Sequence, residues 1–453
     1  MKLRLTLLAK LTGDIVLINV GYLAAFLIRF GGVVPEYNIV AYFAMAPWIT
    51  IAALILFYSY GLYTPGRRRW EEISSCVISA AALLFLISIT LSYMLTQFAF
   101  PRLVFLIAFP VQLAFLLLWR RFAWSWSLKR MGPLRILIVG SVLSAKERAE
   151  QLRRSNRRLY QVAGLVVDVP VIFPPNIENE FQIRGPFTEM AEAVVGMSAN
   201  GVLFCQDVPL EKRIALVSEA ASKGLPVFVI PEIYELILSN SRLEQLDGIP
   251  VFKLKNAAED SEFALGRLVD IALAILLFVP VVPLVLAAAF ALKIEKYRSP
   301  VIFAQERVGQ GGRTFTLYKL RTMVCDAEKA TGPVLAVQDD PRITGVGRVL
   351  RAMRIDELPQ LYNVLKGDMS FIGPRPERPF FVDQFRKDIP GYDYRHQIKA
   401  GITGFAQIEG SYSTSAEDKL RFDLFYARIK SPIKDLQILL HTLKVMLMRD
   451  KSM

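Results

Sequence analysis

Four apolar stretches lie in the N-terminal region, about Leu11–Ile28, Ile39–Tyr58, Cys76–Leu95 and Leu103–Trp119. Each approaches the roughly 20 residues a spanning helix needs, so the pattern predicts four transmembrane helices. The first stretch does not read as a cleavable signal peptide, because no small-x-small site follows it and further spans come soon after. Asp14 and Asn19 fall within or at the edge of the first span. Each is either part of an intramembrane polar site or a partner in an interhelical hydrogen bond.

From Leu134 the pattern changes to short β-branched runs separated by polar helical stretches. Arg135–Val139, Val162–Val167, Val202–Phe204 and Val227–Ile230 read as strands; Ala145–Arg154, Glu189–Val195 and Glu211–Lys223 read as helices. Such alternation predicts a parallel, doubly wound, Rossmann-like sheet. Gly140 closes the first strand, but Gly-Ser-Val-Leu-Ser-Ala lacks the later glycines that let a pyrophosphate approach the backbone. A structural or regulatory domain is the favoured reading over a working NAD site.

A third region begins near Ser261 with a long apolar run, Ile271–Leu292, that contains Pro280 and Pro283. Prolines there remove backbone donors, which predicts a membrane break. Lys293, Lys296 and Arg298 follow immediately and argue for a cytoplasmic exit, so a re-entrant helix over about 268–293 is expected, with a kinked spanning helix as the alternative. Val301–Gln305 and Thr314–Lys319 predict two strands joined by a turn at Gly309-Gln310-Gly311-Gly312, which fits no P-loop. Leu436–Leu447 predicts an amphipathic helix that lies on lipid or packs on the domain.

The expected fold class is therefore a membrane protein of α plus α/β type. It has three parts: a four-helix anchor (1–130), a Rossmann-like domain (134–255) and a mainly α catalytic domain (261–453). Composition agrees: 53% hydrophobic residues combined with 21% charged ones suit a membrane part joined to a water-exposed part. Basic residues flank the spans on one side (Lys2, Arg4, Lys10; Arg67–Arg69; Arg120, Arg121, Lys129, Arg130), which places both ends in the cytoplasm. A net charge of +13 suits an anionic leaflet or a phosphorylated substrate. Nucleic-acid binding is not expected, because the basic residues cluster beside spans and carboxylates. Cys76, Cys205 and Cys325 have no metal-ligand spacing, and two histidines make a histidine-built metal site improbable.

The densest chemistry lies in GVGRVLRAMRIDELPQLYNVLKGDMSFIGPRPE, Gly345–Glu377. Arg348, Arg351 and Arg354 recur every three residues, which predicts one helical face. Asp356 and Glu357 precede Leu358-Pro359, which predicts that Asp356 caps a helix running to Lys366 and stopping at Gly367. A carboxylate pair alone would repel a diphosphate; together with Mg²⁺ and the surrounding arginines it would bind one. An ionised Asp so placed can attack phosphorus.

These residues resemble the bacterial sugar transferases, the polyprenyl-phosphate glycosyl-1-phosphate transferases. The resemblance runs from about Ser261 to the C-terminus. It rests on Gln305–Gly309, Tyr318–Met323, Asp356–Ser370, Gly373–Glu377 and Gly401–Gln407. The anchor and Rossmann-like domain look like the large branch of that family, used in exopolysaccharide and O-antigen assembly. The resemblance implies a ping-pong reaction at the inner membrane, with a UDP-sugar donor and undecaprenyl phosphate as acceptor. It implies Asp356 as nucleophile, Glu357 as the second dyad acid, and Mg²⁺ at both. Lys319, Arg321 and Arg375 match basic motif positions, and Arg351, Arg354 and Arg395 are further candidates for substrate contact. The family's Ser-Pro break is represented here by Val282-Pro283, and its Pro-Gly before the Thr-Gly segment by Ala400-Gly401. A homodimer built on the Rossmann-like domain is a further candidate.

Two other readings compete. Tyr362-Asn363-Val364-Leu365-Lys366 spells the Tyr-x-x-x-Lys pattern of a nucleotide-sugar dehydratase or epimerase, without a Gly-x-Gly-x-x-Gly to support it. A non-catalytic polysaccharide-assembly scaffold is the second, against which the intact dyad argues.

Overall fold

The computed structural model describes residues 2–64, 66–95, 100–154, 159–168, 181–239, 241–246, 249–254, 262–324, 340–410 and 414–447. The chain divides into two compact units, Met1–Glu232 and Ile233–Met453. Residues 255–261, where the sequence suggests a boundary, lie outside the described residues, as does Cys325.

In the first unit, α1 (Lys2–Phe30), α2 (Glu36–Ser59), α3 (Trp70–Met94) and α4 (Arg102–Met131) follow the four apolar stretches. Each contains a segment long and apolar enough to cross a membrane. Two of their polar residues, Asp14 and Asn19, reach across to other parts of the anchor. Asp14 is fully buried, accepts the Tyr63 hydroxyl at 2.9 Å and forms an ion pair with Arg120 of α4. Arg120 also donates to the Leu62 carbonyl at 3.1 Å. Asn19 donates to Thr50 Oγ1 at 3.1 Å and accepts the Tyr42 hydroxyl at 2.7 Å. Of the two readings of these residues, the interhelical one describes what they do. Next to Arg120 on α4, Arg121 lies over Trp70 and Trp124, 5.0 and 4.8 Å from the ring centroids, a cation–π arrangement suited to an interface.

The same unit holds a five-stranded parallel sheet: β1 (Leu134–Val139), β2 (Tyr160–Val166), β3 (Ile183–Arg184), β4 (Gly201–Phe204) and β5 (Val227–Val229). Their order is β3-β2-β1-β4-β5. Helices α5 (Val142–Arg154), α6 (Met190–Gly196) and α7 (Leu210–Ser222) connect them. Along β1, Leu137 and Val139 join one apolar cluster and Ile136 and Ile138 another. Alternate residues of a strand point to opposite faces, so both faces are covered, as a parallel sheet requires. The order reverses between β1 and β4, where nucleotides bind in sheets of this kind. Here Asp207 takes that place: its Oδ2 accepts the Ser141 amide at 3.0 Å, at the start of α5.

The second unit begins with α8 (Ile233–Ser239) and the hairpin β6 (Arg242–Leu246)–β7 (Ile249–Lys253). Next comes α9 (Glu262–Glu295), the fifth helix able to cross a membrane. It is helical throughout, with Pro280 and Pro283 inside it. The break expected at the prolines is thus a loss of backbone donors without a non-helical residue. The expected second hairpin is present, β8 (Ile302–Val308) against β9 (Thr314–Leu320), antiparallel from Ile302↔Leu320 to Val308↔Thr314. Helices α10 (Gly345–Ala352) and α11 (Gln360–Lys366) follow. Strands β10 (Met369–Ile372) and β11 (Ala400–Thr403) pair in parallel, with α12 (Pro379–Asp388) between them in sequence. The chain ends in α13 (Phe405–Glu409), α14 (Ala416–Ile429) and α15 (Pro432–Leu447).

Both ends of α9 grip this unit. Near its start, Arg267 donates to the Leu365 carbonyl at 2.7 Å and to that of Val364 at 2.5 Å, capping α11. Asp270 accepts Ser370 Oγ at 3.0 Å and the Phe371 amide at 3.2 Å. Near its end, Leu292 packs with Leu320 and Leu350, and Glu295 accepts the Val346 amide of α10 at 2.9 Å. Between them Leu276, Val279, Leu286 and Phe290 are exposed.

Candidate active site

The site forms where the chain passes from α10 to α11. Thr344 caps α10, its Oγ1 accepting the Gly347 amide at 3.0 Å. Gly347 lets the helix lie against the end of β9: a Cβ there would stand 2.1 Å from the Thr322 carbonyl oxygen. After Ala352 the helix stops, and Arg354 takes a left-handed conformation (φ 54°, ψ 22°). That region disfavours a residue with a Cβ, so the turn is held by its surroundings. The chain then forms a single 3₁₀ turn, Ile355–Glu357. Two expectations are corrected here. Asp356 sits inside this turn and makes no helix-cap bond, and Arg354 lies beyond the helix that carries Arg348 and Arg351. The end of α11 agrees with the sequence: Gly367 follows Lys366 at φ 97°.

Glu357 is the fixed member of the dyad. Its Oε1 accepts Lys319 Nζ at 2.9 Å and Arg375 Nη2 at 2.9 Å. Burial alone would raise its carboxyl, but Arg375 and Lys319 outweigh that and hold it well below the usual range. Asp356 is the loose member. Only 8% of its surface is exposed, and among the described residues nothing donates a hydrogen bond to its carboxylate. Burial, and then the neighbouring Glu357 charge, raise its pKa, opposed by Lys319, Arg351 and Arg375. Adjacent carboxylates are thus pushed apart: one is locked as an anion, and the other is poised to gain or lose its charge.

Lys319 reaches the dyad from the end of β9, and burial lowers its pKa against the pull of Glu357. Arg375 reaches it from the Gly373–Glu377 turn, which packs backbone to backbone on β11. A Cβ on Gly401 would stand 2.1 Å from the Gly373 amide nitrogen, so neither glycine tolerates a side chain. Arg351 donates to Thr322 Oγ1 at 2.9 Å and stands close enough to lower the Asp356 pKa.

A segment comparison decides the family. Residues 261–449 match the family model described as bacterial sugar transferase. A UDP-glucose:undecaprenyl-phosphate glucose-1-phosphate transferase of Caulobacter vibrioides is 41% identical over 191 residues, covering 41% of this chain and 71% of that protein. The chain belongs to the bacterial sugar transferase family. A UDP-N-acetylgalactosamine-undecaprenyl-phosphate N-acetylgalactosaminephosphotransferase of Aeromonas hydrophila is 39% identical over 234 residues, 51% of this chain and 54% of that protein. A UDP-glucose:undecaprenyl-phosphate glucose-1-phosphate transferase of Escherichia coli is 32% identical over 315 residues, 68% of this chain and 66% of that protein. The match therefore spans about half to two thirds of the length of these last two relatives.

Not every arginine of this bacterial sugar transferase faces the dyad. Arg321 is buried and spends its donors on backbone carbonyls, those of Pro300 at 2.9 Å, Leu292 at 3.4 Å and Met323 at 3.5 Å. Arg395 is buried too, with Nε and Nη2 on Asp423 Oδ2 at 3.1 and 2.8 Å. Its Nη2 also donates to the Arg375 carbonyl at 3.1 Å, so Arg395 positions the turn that carries Arg375. Arg307 was not singled out by the sequence, although it lies in the Gln305–Gly309 motif. With Lys319, Gln360, Arg375, Pro376 and Gly401 it lines a small cleft. It donates to the Pro376 carbonyl at 2.9 Å and Gln305 Oε1 at 2.6 Å, while its buried Nε has no hydrogen-bond partner. Burial, with Arg375 and Arg378 nearby, lowers the Arg307 guanidinium to about 10 against the pull of Glu377. The cleft thus gathers Lys319 and Arg375 on Glu357 and Arg307 3.8 Å from Glu377, cations whose donors match phosphate oxygens.

Among the described residues no three His, Cys, Asp or Glu side chains gather as metal ligands. Asp356 and the second oxygen of Glu357, left clear by Lys319 and Arg375, remain for a cation. That donor set fits Mg²⁺, which commonly takes one or two carboxylates and completes its shell with phosphate oxygens and water. Tyr362 and Lys366 do not form a dehydrogenase-type pair with a cofactor cleft. Tyr362 is exposed against Tyr318, and the Lys366 ammonium lies 3.0 Å from Asp368.

Proposed function

We propose that this protein transfers a sugar 1-phosphate, with a hexose as the sugar, from a UDP-sugar to undecaprenyl phosphate, giving the lipid diphosphate sugar and UMP. The observation that carries this is the dyad: Glu357 pinned between Lys319 and Arg375, with a buried Asp356 beside it whose carboxylate accepts no hydrogen bond from the described residues. The names of the relatives support the reaction class. They differ in the sugar: N-acetylgalactosamine in the Aeromonas hydrophila protein, glucose in the Escherichia coli one, galactose in one from Salmonella typhimurium.

An Asp356 carboxylate oxygen forms a bond to the β-phosphorus while the bond from that phosphorus to the bridging oxygen breaks. UMP leaves with the electron pair, and the phosphosugar stays on Asp356. An oxygen of the lipid phosphate then attacks the same phosphorus, and the Asp356 carboxylate is released unchanged. Lys319, Arg375 and Arg307 oppose the charge that gathers on the phosphoryl oxygens and the leaving phosphate. Glu357 holds Lys319 and Arg375 in place. Mg²⁺, held by Asp356 and Glu357, would neutralise diphosphate charge and favour departure of UMP.

The reading places the chain in a bacterial inner membrane, with the anchor spanning and the second unit on the cytoplasmic face, in an exopolysaccharide or O-antigen pathway. Basic residues at the ends of the apolar helices support this orientation. In this reading α9 enters the leaflet and returns instead of crossing. The support is that Arg267 and Asp270 at its start and Leu292 and Glu295 at its end hold the same unit.

The test is UMP release from a panel of UDP-sugars by purified protein with undecaprenyl phosphate and Mg²⁺, beside Asp356→Asn. One sugar giving UMP and lipid product, both lost in the variant, supports the assignment. A variant equal to wild type removes Asp356 from the mechanism. No release from any sugar returns the scaffold reading.

A further inference from the structure

The outer face of α10 carries a feature that the dyad chemistry does not use. Val349 and the residue that caps the helix one turn on, Met353, are 57% and 59% exposed, while Val346 and Leu350 of α10 face the apolar cluster with Leu292. Arg348, also exposed, stands beside Val349, and its guanidinium makes no hydrogen bond or ion pair among the described residues. Arg351, one turn after Arg348, commits its Nε to Thr322 and keeps its terminal nitrogens for other contacts. Three residues beyond Met353 comes Asp356.

The place of this ridge relative to lipid follows from α9. The candidate membrane segment ends at Glu295, and Glu295 accepts the Val346 amide in the first turn of α10. Exposed Phe290 and Ile294 belong to that same end of α9. A helix that starts where an apolar membrane segment stops, bears two exposed apolar side chains and an unpaired guanidinium, and leads into a phosphorus-attacking carboxylate has the surface of an amphiphile's dock. Its charge calls for an anionic head and its apolar residues for a hydrocarbon tail. Met adapts to an irregular chain, and guanidinium matches phosphate.

We propose that Arg348, Val349 and Met353 form the docking ridge for the acceptor lipid, with the acceptor phosphate on Arg348 and the first isoprenoid units along Val349 and Met353. The ridge delivers the acceptor to Asp356 in the second half-reaction and has no part in the first. The inference rests on the two-step reading above.

The experiment separates the half-reactions in the full-length chain reconstituted in phosphatidylcholine vesicles. A single-turnover burst of UMP without acceptor reports the first, and the KM for undecaprenyl phosphate reports the second. The double variant Val349→Asn/Met353→Gln should keep the wild-type burst and raise the acceptor KM about tenfold, the scale expected for losing two partly buried apolar contacts. Val349→Ile/Met353→Leu should restore the wild-type KM, and Arg348→Gln should raise it. An unchanged acceptor KM in the double variant overturns the proposal. So does loss of the burst together with transfer, which would mean that the ridge supports the dyad itself. A KM defect erased by adding phosphatidylglycerol would assign the ridge to bulk anionic lipid instead, and also overturns it. Failure of the wild-type burst with every UDP-sugar would strike the two-step reading instead, and so is told apart from failure of the ridge.

Discussion

Lys319 Nζ stands 2.9 Å from Glu357 Oε1, the same oxygen that Arg375 reaches at 2.9 Å. Two cations on one oxygen leave the other turned away from them and keep the carboxylate ionised. Lys319 also lowers the pKa of Asp356. In Lys319→Met the Asp356 pKa should therefore rise, and the acid limb of UMP release should move to higher pH. The rate above that limb should fall about 10²- to 10³-fold, as when one preorganised donor is removed from a developing anion. A pH–rate profile of the single-turnover burst measures both.

Glu357→Gln should move the limb the other way. The Glu357 charge raises the Asp356 pKa, and it also occupies Lys319 and Arg375. Removing it lets both cations act on Asp356, so ionisation survives to lower pH. In the proposed reaction Asp356 attacks as the carboxylate, so wild type should be active above its raised pKa and lose activity as pH falls through it. The variant should retain its residual rate at pH values where wild type has lost its own, and the same burst profile tests this.

Arg395 is expected to matter through Arg375. Arg395→Ala strands Asp423, which is buried and has lost its guanidinium, at a cost of about 3–5 kcal/mol. Asp423→Asn keeps the volume and should cost less. Both should lower UMP release by raising the donor KM more than they lower kcat at saturating donor, because the Arg375 turn loosens while the dyad stays. Thermal melting in detergent, read beside the KM-against-kcat split, separates this from plain unfolding.

In Arg307→Ala the cleft loses a cation that lies next to Arg375. The donor KM should rise about tenfold, with Arg307→Lys intermediate because it keeps charge but not the planar fork. Titration of UMP as a product inhibitor checks the assignment independently, since its affinity should fall in parallel.

The anchor offers a test far from the chemistry. Arg120→Met leaves Asp14 buried without its ion-pair partner and should destabilise the first unit by about 3–5 kcal/mol. The double variant Asp14→Leu/Arg120→Met should recover most of that loss. Melting temperatures in detergent read the effect, and UMP release per folded molecule should be unchanged throughout.

The dyad was legible because Asp356 and Glu357 are adjacent and their arginines lie close by in sequence. Four of the sheet's five strands and its three helices were legible through their period, to within a few residues at each end; β3, only Ile183–Arg184, is too short to show one. What the sequence could not rank was one arginine against another. Arg321 and Lys319 differ by two positions in one motif, yet Arg321 serves Pro300 and Leu292 while Lys319 serves Glu357. Arg395 and Arg375 look alike, but Asp423 claims the first from 28 residues away. Asp14 and Arg120 are 106 positions apart, and no local pattern joins them. The left-handed Arg354 was hidden for a related reason: a cost of this kind is met by distant contacts, so the local sequence favours a continuing helix.

The grip of α9 has a mechanical meaning. Its first turns clasp the segment that follows the dyad, through Leu365 and Phe371, and its last turns clasp the segment that precedes it, through Val346 and Leu350. The helix is thus a lever with Asp356 strung between its two attachment points. Any tilt imposed on it changes the spacing of α10 and α11, and with it the setting of Asp356. In the proposed membrane placement, the thickness and tension of the surrounding lipid would bear on Asp356 through these two attachments.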